Sequence, residues 1–292
     1  MSKPIIGFVG LGLLGTGFVT RLLACGYDVV GLDVVEEKRA AALALGAKTC
    51  ETPAELVAQV DIIATCVTKP SDMVTIVEGE NGILSATNKR ATILVDHSTT
   101  DIATTQRLAD ALSEQASIAF VDAPVSGGPA AAEAGTLAIM AGGTEEAFTK
   151  IKPVMDQLGR FTHMGPVAAG QATKLVNQTL VLTNYCVMAE ALRLAEAYGV
   201  DASKVPHALA TGHAGSNLLP VMFERMIDRD WEPRGYARQI LKDLEMLSDA
   251  ASSEKVPMPM SAQALSLFRM MVAQGHAEID GAAVYNLLGK TE

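Results

Sequence analysis

Apolar residues follow two rhythms along the chain, and the change between them falls near residue 165. Before it, short unbroken apolar runs alternate with segments whose apolar residues recur at helical spacing. The runs cover residues 5–9, 29–32, 61–67, 92–95, 118–121, 137–141 and 161–164. Between them the spacing predicts helices. The first carries Leu14, Phe18, Val19, Leu22 and Leu23 and stops at Gly26. Others are expected over 36–45, 71–77, about 101–113 and about 145–158. A short one opens at the capping box Thr52-Pro53-Ala54-Glu55, with proline at the first helical position. Strands apolar on both faces, alternating with helices, indicate a largely parallel sheet between helix layers.

After Gly165 no strand pattern remains. From 169 to 198 there is no proline, and Gly170 near the start is the sole glycine. Leu175, Val176, Leu180, Leu182, Val187, Met188, Ala191, Leu192 and Ala195 keep a broad apolar band. A helix of about 28 residues within this stretch spans roughly 42 Å, too long for the sheet domain alone. It is expected to leave the first domain and become the spine of a second. Helices over 202–210, 216–227, 237–252, 260–273 and 281–288 complete the chain, with Pro257-Met258-Pro259 as a helix-to-helix loop. The expected domains are 1–164, an α/β doubly wound sheet, and 165–292, all helical.

The first rhythm contains a specific signal. Gly10, Gly12 and Gly15 stand in G-x-G-x-x-G spacing between the first strand and the first helix, and the second strand closes on Asp33. Strand, tight turn, helix, strand and acid together form the dinucleotide-binding fingerprint of a Rossmann-type sheet. Gly10 permits the sharp turn, Gly12 admits a pyrophosphate, and Gly15 lets helix and strand pack closely. The helix start at Leu13 and Leu14 offers N–H groups and a positive dipole end. Asp33 is placed to accept hydrogen bonds from an adenosine ribose. The structural alternative is a βαβ turn whose glycines serve packing alone. Ligands on such sheets sit beyond the strands' carboxyl ends. Those ends also carry Val67, Thr68, Ser98, Thr99 and the segment Ser126-Gly127-Gly128.

Composition narrows the partners. Charge is −10 at neutral pH, with only 4% aromatic residues. This argues against non-specific nucleic-acid binding, binding to anionic membranes, and a base-stacking platform. No apolar run reaches transmembrane length. Cys25, Cys50, Cys66 and Cys186 are scattered, without zinc spacing, as expected of reduced thiols. With no signal-peptide pattern ahead of the first strand, the expected location is cytoplasmic.

Two segments could carry chemistry. Lys174 and Asn177 are three residues apart, so they share one face of the long helix, with Gln178 beside them. A lysine among Thr173, Leu175 and Val176 could be partly buried, which disfavours its charged form and suits it to exchange a proton with a substrate oxygen. Taken alone, the segment is more often a solvated lysine on a surface helix. Ser126-Gly127-Gly128 could form an anion nest for a carboxylate, or simply a tight turn before a helix.

Together these motifs resemble the β-hydroxyacid dehydrogenase family, which includes 3-hydroxyisobutyrate dehydrogenases and tartronate semialdehyde reductases. Four segments match in order across essentially the whole chain: Phe8 through Gly15, Asp122-Ala-Pro-Val-Ser-Gly-Gly128, Gly165 through Asn177, and Lys242-Asp243-Leu244. The resemblance implies hydride transfer between a nicotinamide cofactor and a small β-hydroxy acid or its semialdehyde. It implies that Lys174 is the acid–base catalyst. Ser126, Gly127, Gly128 and Asn177 then hold the substrate carboxylate, and Lys242 lies near the nicotinamide. It also implies a homodimer or homotetramer built through the helical half. The departures are Ala168 where glycine is usual, Gln178 for a second asparagine, and Gly235-Tyr236 where relatives carry phenylalanine. His97, His163, His207, His213 and His276 match no catalytic position. Asp33 favours NAD over NADP, since a carboxylate repels a 2′-phosphate and no cation precedes Lys38 and Arg39. No metal is expected. The alternatives are an imine-type reductase on the same scaffold, or a non-catalytic NAD-binding interaction protein; the lysine argues against both.

Overall fold

The structure, a computed structural model, describes residues 3–289. The chain divides into two compact units, Met1–Lys174 and Leu175–Glu292.

The first unit runs β1 (Ile6–Val9), α1 (Leu13–Ala24), β2 (Val29–Leu32), α2 (Glu36–Ala44), β3 (Lys48–Thr49), α3 (Pro53–Gln59), β4 (Ile62–Thr65), α4 (Pro70–Glu78), β5 (Ile93–Asp96), α5 (Ile102–Ala116) and β6 (Ala119–Asp122). It continues with β7 (Val125–Ser126), α6 (Gly128–Ala134), β8 (Leu137–Gly142), α7 (Glu145–Met155) and β9 (Gly159–Gly165). The strand order is β3-β2-β1-β4-β5-β6-β8-β7, with β9 pairing β8. The first six strands of that order are the doubly wound arrangement, whose direction of winding reverses between β1 and β4.

Alternate residues explain why both faces are covered. Ile6, Phe8, Ile62, Ala64, Ile93 and Val95 belong to one apolar cluster. Val9, Ile63 and Leu94, from the same strands, belong to a second cluster on the other face. Only strands buried on both sides place consecutive apolar residues in two cores.

Several features go beyond the hydrophobic pattern. β3 and β7 are two residues each, too short for a period to register. α6 reads GPAAAEA, and alanines give no apolar stripe to detect. β8 pairs antiparallel with β6 and β7. The short β7–α6–β8 connection brings the chain back alongside β7 rather than across the sheet.

The second unit holds most of α8 (Ala169–Ala197), then α9 (Val205–Leu209), α10 (Leu218–Asp228), α11 (Ala237–Ser253) and α12 (Pro259–Ala273). The single helix expected over 202–210 is instead a 3-10 turn, Ala202–Lys204, followed by the short α9. Asp201 caps this turn by accepting from the Ser203 N–H at 3.2 Å. Residues 281–288 are likewise 3-10 rather than α-helical. There the buried Asp280 accepts from the Ala282 N–H at 2.9 Å and pairs with the buried Arg225 at 2.9 Å. The core gathers Leu182, Ala189, Phe223, Leu244, Phe268 and Tyr285.

Candidate active site

β1 passes to α1 through Gly10, whose φ is +95°. A Cβ there would lie 2.2 Å from the Cys66 carbonyl oxygen, so both the turn and the adjoining end of β4 require glycine. At Gly15 a Cβ would fall 1.9 Å from the Gly10 carbonyl oxygen. Gly12 differs: a Cβ on it would meet nothing within 4 Å. It is the N-cap of α1 without a side-chain cap, and no acid lies in the first turn. The helix therefore begins at Leu13 and Leu14 with a positively polarised end in an open cradle that a side chain at Gly12 would fill. These residues fit a dinucleotide pyrophosphate.

Asp33 follows the end of β2 and is held on both carboxylate oxygens. Oδ2 accepts from the Leu11 N–H at 2.7 Å and Oδ1 from the Val35 N–H at 2.9 Å. Lys38 Nζ lies 3.5 Å from Oδ2, and Arg39 Nη1 donates to the Asp33 carbonyl oxygen at 2.6 Å. The two cations expected to come too late in the sequence thus both fold back onto Asp33.

Beyond β4, the Val67 N–H donates to Ser98 Oγ at 2.9 Å, joining this loop to the end of β5. Thr68 and Thr99 lie in the same two loops. Asp96, fully buried at the end of β5, accepts from the Ser98 N–H at 2.9 Å and from the hydroxyls of Thr65 at 2.8 Å and Thr100 at 3.1 Å. Burial raises the Asp96 pKa despite these donors.

β6 ends at Asp122, also buried. Its Oδ1 accepts from the Ala168 N–H and its Oδ2 from the Gln171 N–H, both at 2.8 Å. Burial pushes its pKa up to about 6; the two N–H donors oppose the rise, and neighbouring Asp96 adds to it. Three residues on, the Val125 carbonyl oxygen receives Lys174 Nζ at 2.7 Å. Lys174 is only 8% exposed. Ser126 closes β7, and Gly127 and Gly128 follow with φ of +133° and +74°. A Cβ on Gly128 would again meet nothing within 4 Å. The first unit thus brings Lys174 onto the strand that carries the Ser-Gly-Gly segment.

In the second unit, Asn177 Nδ2 donates to Gln178 Oε1 at 2.8 Å, and Gln178 Nε2 donates to Asp243 Oδ2. Asp243 Oδ1 lies 3.2 Å from Lys242 Nζ. Gln178, noted in the sequence as a departure, is therefore the link between Asn177 and the Lys-Asp-Leu segment. Sequence reasoning missed Asp122, Gln171 and Asp243 as contributors. All three lie inside the matching segments, but only their tertiary partners reveal what they hold.

The histidines gather nowhere. His97 is buried against Phe18, ring centroids 4.6 Å apart, with Nδ1 2.8 Å from the Ala123 carbonyl oxygen. Burial lowers its pKa to about 4. His163 contacts the Gly143 carbonyl oxygen, and His207, His213 and His276 are exposed. Among the described residues no set of three His, Cys, Asp or Glu side chains is placed to hold a metal ion.

A doubly wound sheet, an open glycine cradle on an uncapped helix and an acid after β2 define the class: a dinucleotide-binding oxidoreductase. Residues 5–168 match the family model for the NAD-binding domain of 6-phosphogluconate dehydrogenase. Residues 168–288 match the one described as NAD-binding of NADP-dependent 3-hydroxyisobutyrate dehydrogenase. The chain is 36% identical to 2-(hydroxymethyl)glutarate dehydrogenase of Eubacterium barkeri, over 97% of this chain and 95% of that protein. It is 35% identical to 2-hydroxy-3-oxopropionate reductase of Escherichia coli, over 97% and 96%. The crystal structure of 3-hydroxyisobutyrate dehydrogenase from Salmonella typhimurium superposes with a TM-score of 0.87 at 27% identity, covering 98% of this chain and all of that one. The chain belongs to the β-hydroxyacid dehydrogenase family, NAD(P)-dependent oxidoreductases acting on CH–OH groups.

Proposed function

We propose that the protein interconverts a small β-hydroxy carboxylate and its semialdehyde, with Lys174 exchanging the proton of the reacting oxygen. The observation that carries this reading is the placement of Lys174. It is a buried lysine whose Nζ is held 2.7 Å from the Val125 carbonyl oxygen, one residue before Ser126. The activities named for the bacterial relatives support the substrate class.

The nicotinamide cofactor supplies hydride acceptance and donation when bound. The chain's own contributions are distinct from it. Gly10, Gly12, Leu13, Leu14 and Gly15 would hold the pyrophosphate, Asp33 the ribose, and Val67, Thr68 and Thr99 the loops beside it. Lys242 would lie toward the nicotinamide. Ser126, Gly127, Gly128 and Asn177 would grip the substrate carboxylate through a nest and an amide. Lys174 would take the hydroxyl proton in oxidation and return it in reduction.

NAD is the proposed cofactor, because the Asp33 carboxylate disfavours a 2′-phosphate. Lys38 and Arg39 on Asp33 favour a second reading in which NADP is also accepted. One experiment tests reaction and cofactor together: 3-hydroxyisobutyrate, glycerate, 4-hydroxybutyrate and four-carbon sugar acids, followed by absorbance of reduced nicotinamide with NAD and NADP in turn. Turnover of none of them, in either direction, overturns the substrate class. A kcat/KM with NADP equal to or above that with NAD overturns the cofactor preference.

A homo-oligomer is proposed on the exposed side of α8. Val176, Leu180, Val187 and Leu194 are each about half exposed or more and fall at intervals that place them in one stripe. A monomeric mass by light scattering at micromolar protein overturns it. A cytoplasmic setting is proposed because no disulfide joins the four cysteines. Among the described residues no helix is long and apolar enough to cross a membrane.

A further inference from the structure

The first turn of a helix presents N–H groups that have no acceptor within the helix. At the start of α8, the N–H of Ala168, in the turn just before the helix, and that of Gln171, in its first turn, are taken by the two oxygens of one buried carboxylate, Asp122. One donor precedes the helix and the other lies three residues on, inside it. Holding both fixes where α8 begins and also how it is rotated about its axis.

Lys174 is three residues beyond Gln171, on the same face of α8. The rotation that Asp122 imposes therefore sets the direction in which the lysine leaves the helix. Its Nζ then meets the carbonyl oxygen of Val125, which lies on the same segment as Asp122. Asp122, Gln171, Lys174 and Val125 form a closed loop of contacts anchored at the end of β6 by Asp122 and at the start of β7 by Val125.

Three further features serve this contact. Gly170 has no room for a side chain: a Cβ would lie 2.5 Å from the Asp122 carbonyl oxygen and 2.4 Å from that of Met140. Ala168 adopts a φ of +74° at the turn that delivers its N–H to the carboxylate. The Gln171 side chain adds a second tether to the end of β5, donating from Nε2 to the Ser98 carbonyl oxygen at 2.9 Å and accepting from the Thr100 N–H at 3.2 Å.

We propose that Asp122 is a positioning residue for Lys174, aiming the lysine through the first turn of α8. This rests on Lys174 being the proton-exchanging group. Asp122 touches neither substrate nor cofactor in this role. A plain helix cap would contribute stability alone, whereas a positioning residue acts on turnover only while Lys174 is present.

The test is a double-mutant cycle of Asp122→Asn and Lys174→Ala, run on the hydroxy acid of the panel that the wild type turns over best. Misplacement of a reacting group by about 1 Å can cost about 10²-fold, so Asp122→Asn is expected to lower kcat by about 10- to 100-fold. The KM for the nicotinamide cofactor should stay within about 3-fold. In the Lys174→Ala background the same change should alter kcat by less than about 3-fold, because residues acting as one unit are not additive. Equal fold-losses in both backgrounds overturn the proposal, as does an unchanged kcat in the single variant.

A second measurement needs no substrate. Acetylation of Lys174 by acetic anhydride, read by peptide mass spectrometry, should rise several-fold in Asp122→Asn while the exposed Lys204 labels as before. Unchanged Lys174 labelling overturns the positioning role. If Asp122→Asn does not fold, Asp122→Ser, which is smaller, is carried through both measurements. If Lys174→Ala alone keeps more than about a tenth of kcat, the acid–base role falls instead. The labelling result then still reports whether Asp122 holds the lysine.

Discussion

Lys174 donates from Nζ to the Val125 carbonyl oxygen at 2.7 Å, so the amine rests against the strand that leads into Ser126. A main-chain oxygen can accept from the amine in either protonation state, which suits a group that must gain and lose a proton in each cycle. Lys174→Ala is expected to lower kcat by about 10²–10⁴-fold while cofactor affinity, read by fluorescence of bound NADH, is kept. Lys174→Arg should not restore turnover, because guanidinium stays protonated throughout the working range. Rescue by arginine would remove lysine from the proton-transfer step.

Asn177 and Gln178 share one hydrogen bond, and Gln178 passes the link to Asp243. If Asn177 grips the substrate carboxylate, Asn177→Ala should raise KM or lower kcat for the acid while leaving NADH affinity nearly intact. The methyl ester of the same acid should turn over poorly on the wild type. Equal turnover of acid and ester would end the carboxylate-anchor assignment.

Ala168 occupies a left-handed conformation, φ +74°, the region of backbone space that favours glycine. A side chain in this region costs roughly 1–2 kcal/mol, partly offset by the greater freedom glycine gives the unfolded chain. Ala168→Gly should therefore stabilise the protein by about 0.5–1 kcal/mol. Urea unfolding measures this, and a lower midpoint in the variant would contradict it.

His97 supplies a pH dependence. Its folded pKa is lowered to about 4 from 6.5, so the unfolded chain takes up the proton first as pH falls. The stability that His97 contributes is full above about pH 6.5 and is lost between there and about pH 4. The loss amounts to about 3 kcal/mol. Asp122, with its pKa raised to about 6, works in the opposite sense over part of that range. The informative quantity is therefore the difference between wild type and His97→Gln. That variant should lose less stability than wild type between pH 7 and 4.5 in urea unfolding. Equal losses would show that His97 stays out of the linkage.

The hydrophobic rhythm made the sheet readable because doubly buried strands such as β1, β4 and β5 are unbroken apolar runs. The packing need at Gly15 was readable because its close neighbour, the Gly10 carbonyl oxygen, is near in sequence, whereas Gly10 is also pressed by the remote Cys66 carbonyl oxygen. The contacts that hold the catalytic candidate were not readable. Asp122 meets Ala168 and Gln171 across more than forty residues, and nothing local distinguishes it from an aspartate ending a strand. The same holds for Gln178 and Asp243. Lys38 and Arg39 looked too distant to matter to Asp33 until the start of α2 brought them back over it. α6 was readable only through the alternative of a tight turn before a helix at Ser126-Gly127-Gly128, because alanine carries helix propensity without an apolar stripe.

The shared helix α8 also bears on modularity. A fragment cut after β9 would keep every strand of the sheet but lose the Ala168 and Gln171 donors that hold the Asp122 carboxylate. The cofactor-binding half is self-sufficient only when it retains the first turns of a helix that otherwise belongs to its neighbour. Any exchange of halves between relatives, by recombination or by design, therefore has its workable seam inside α8 and beyond Lys174, rather than in the turn before that helix.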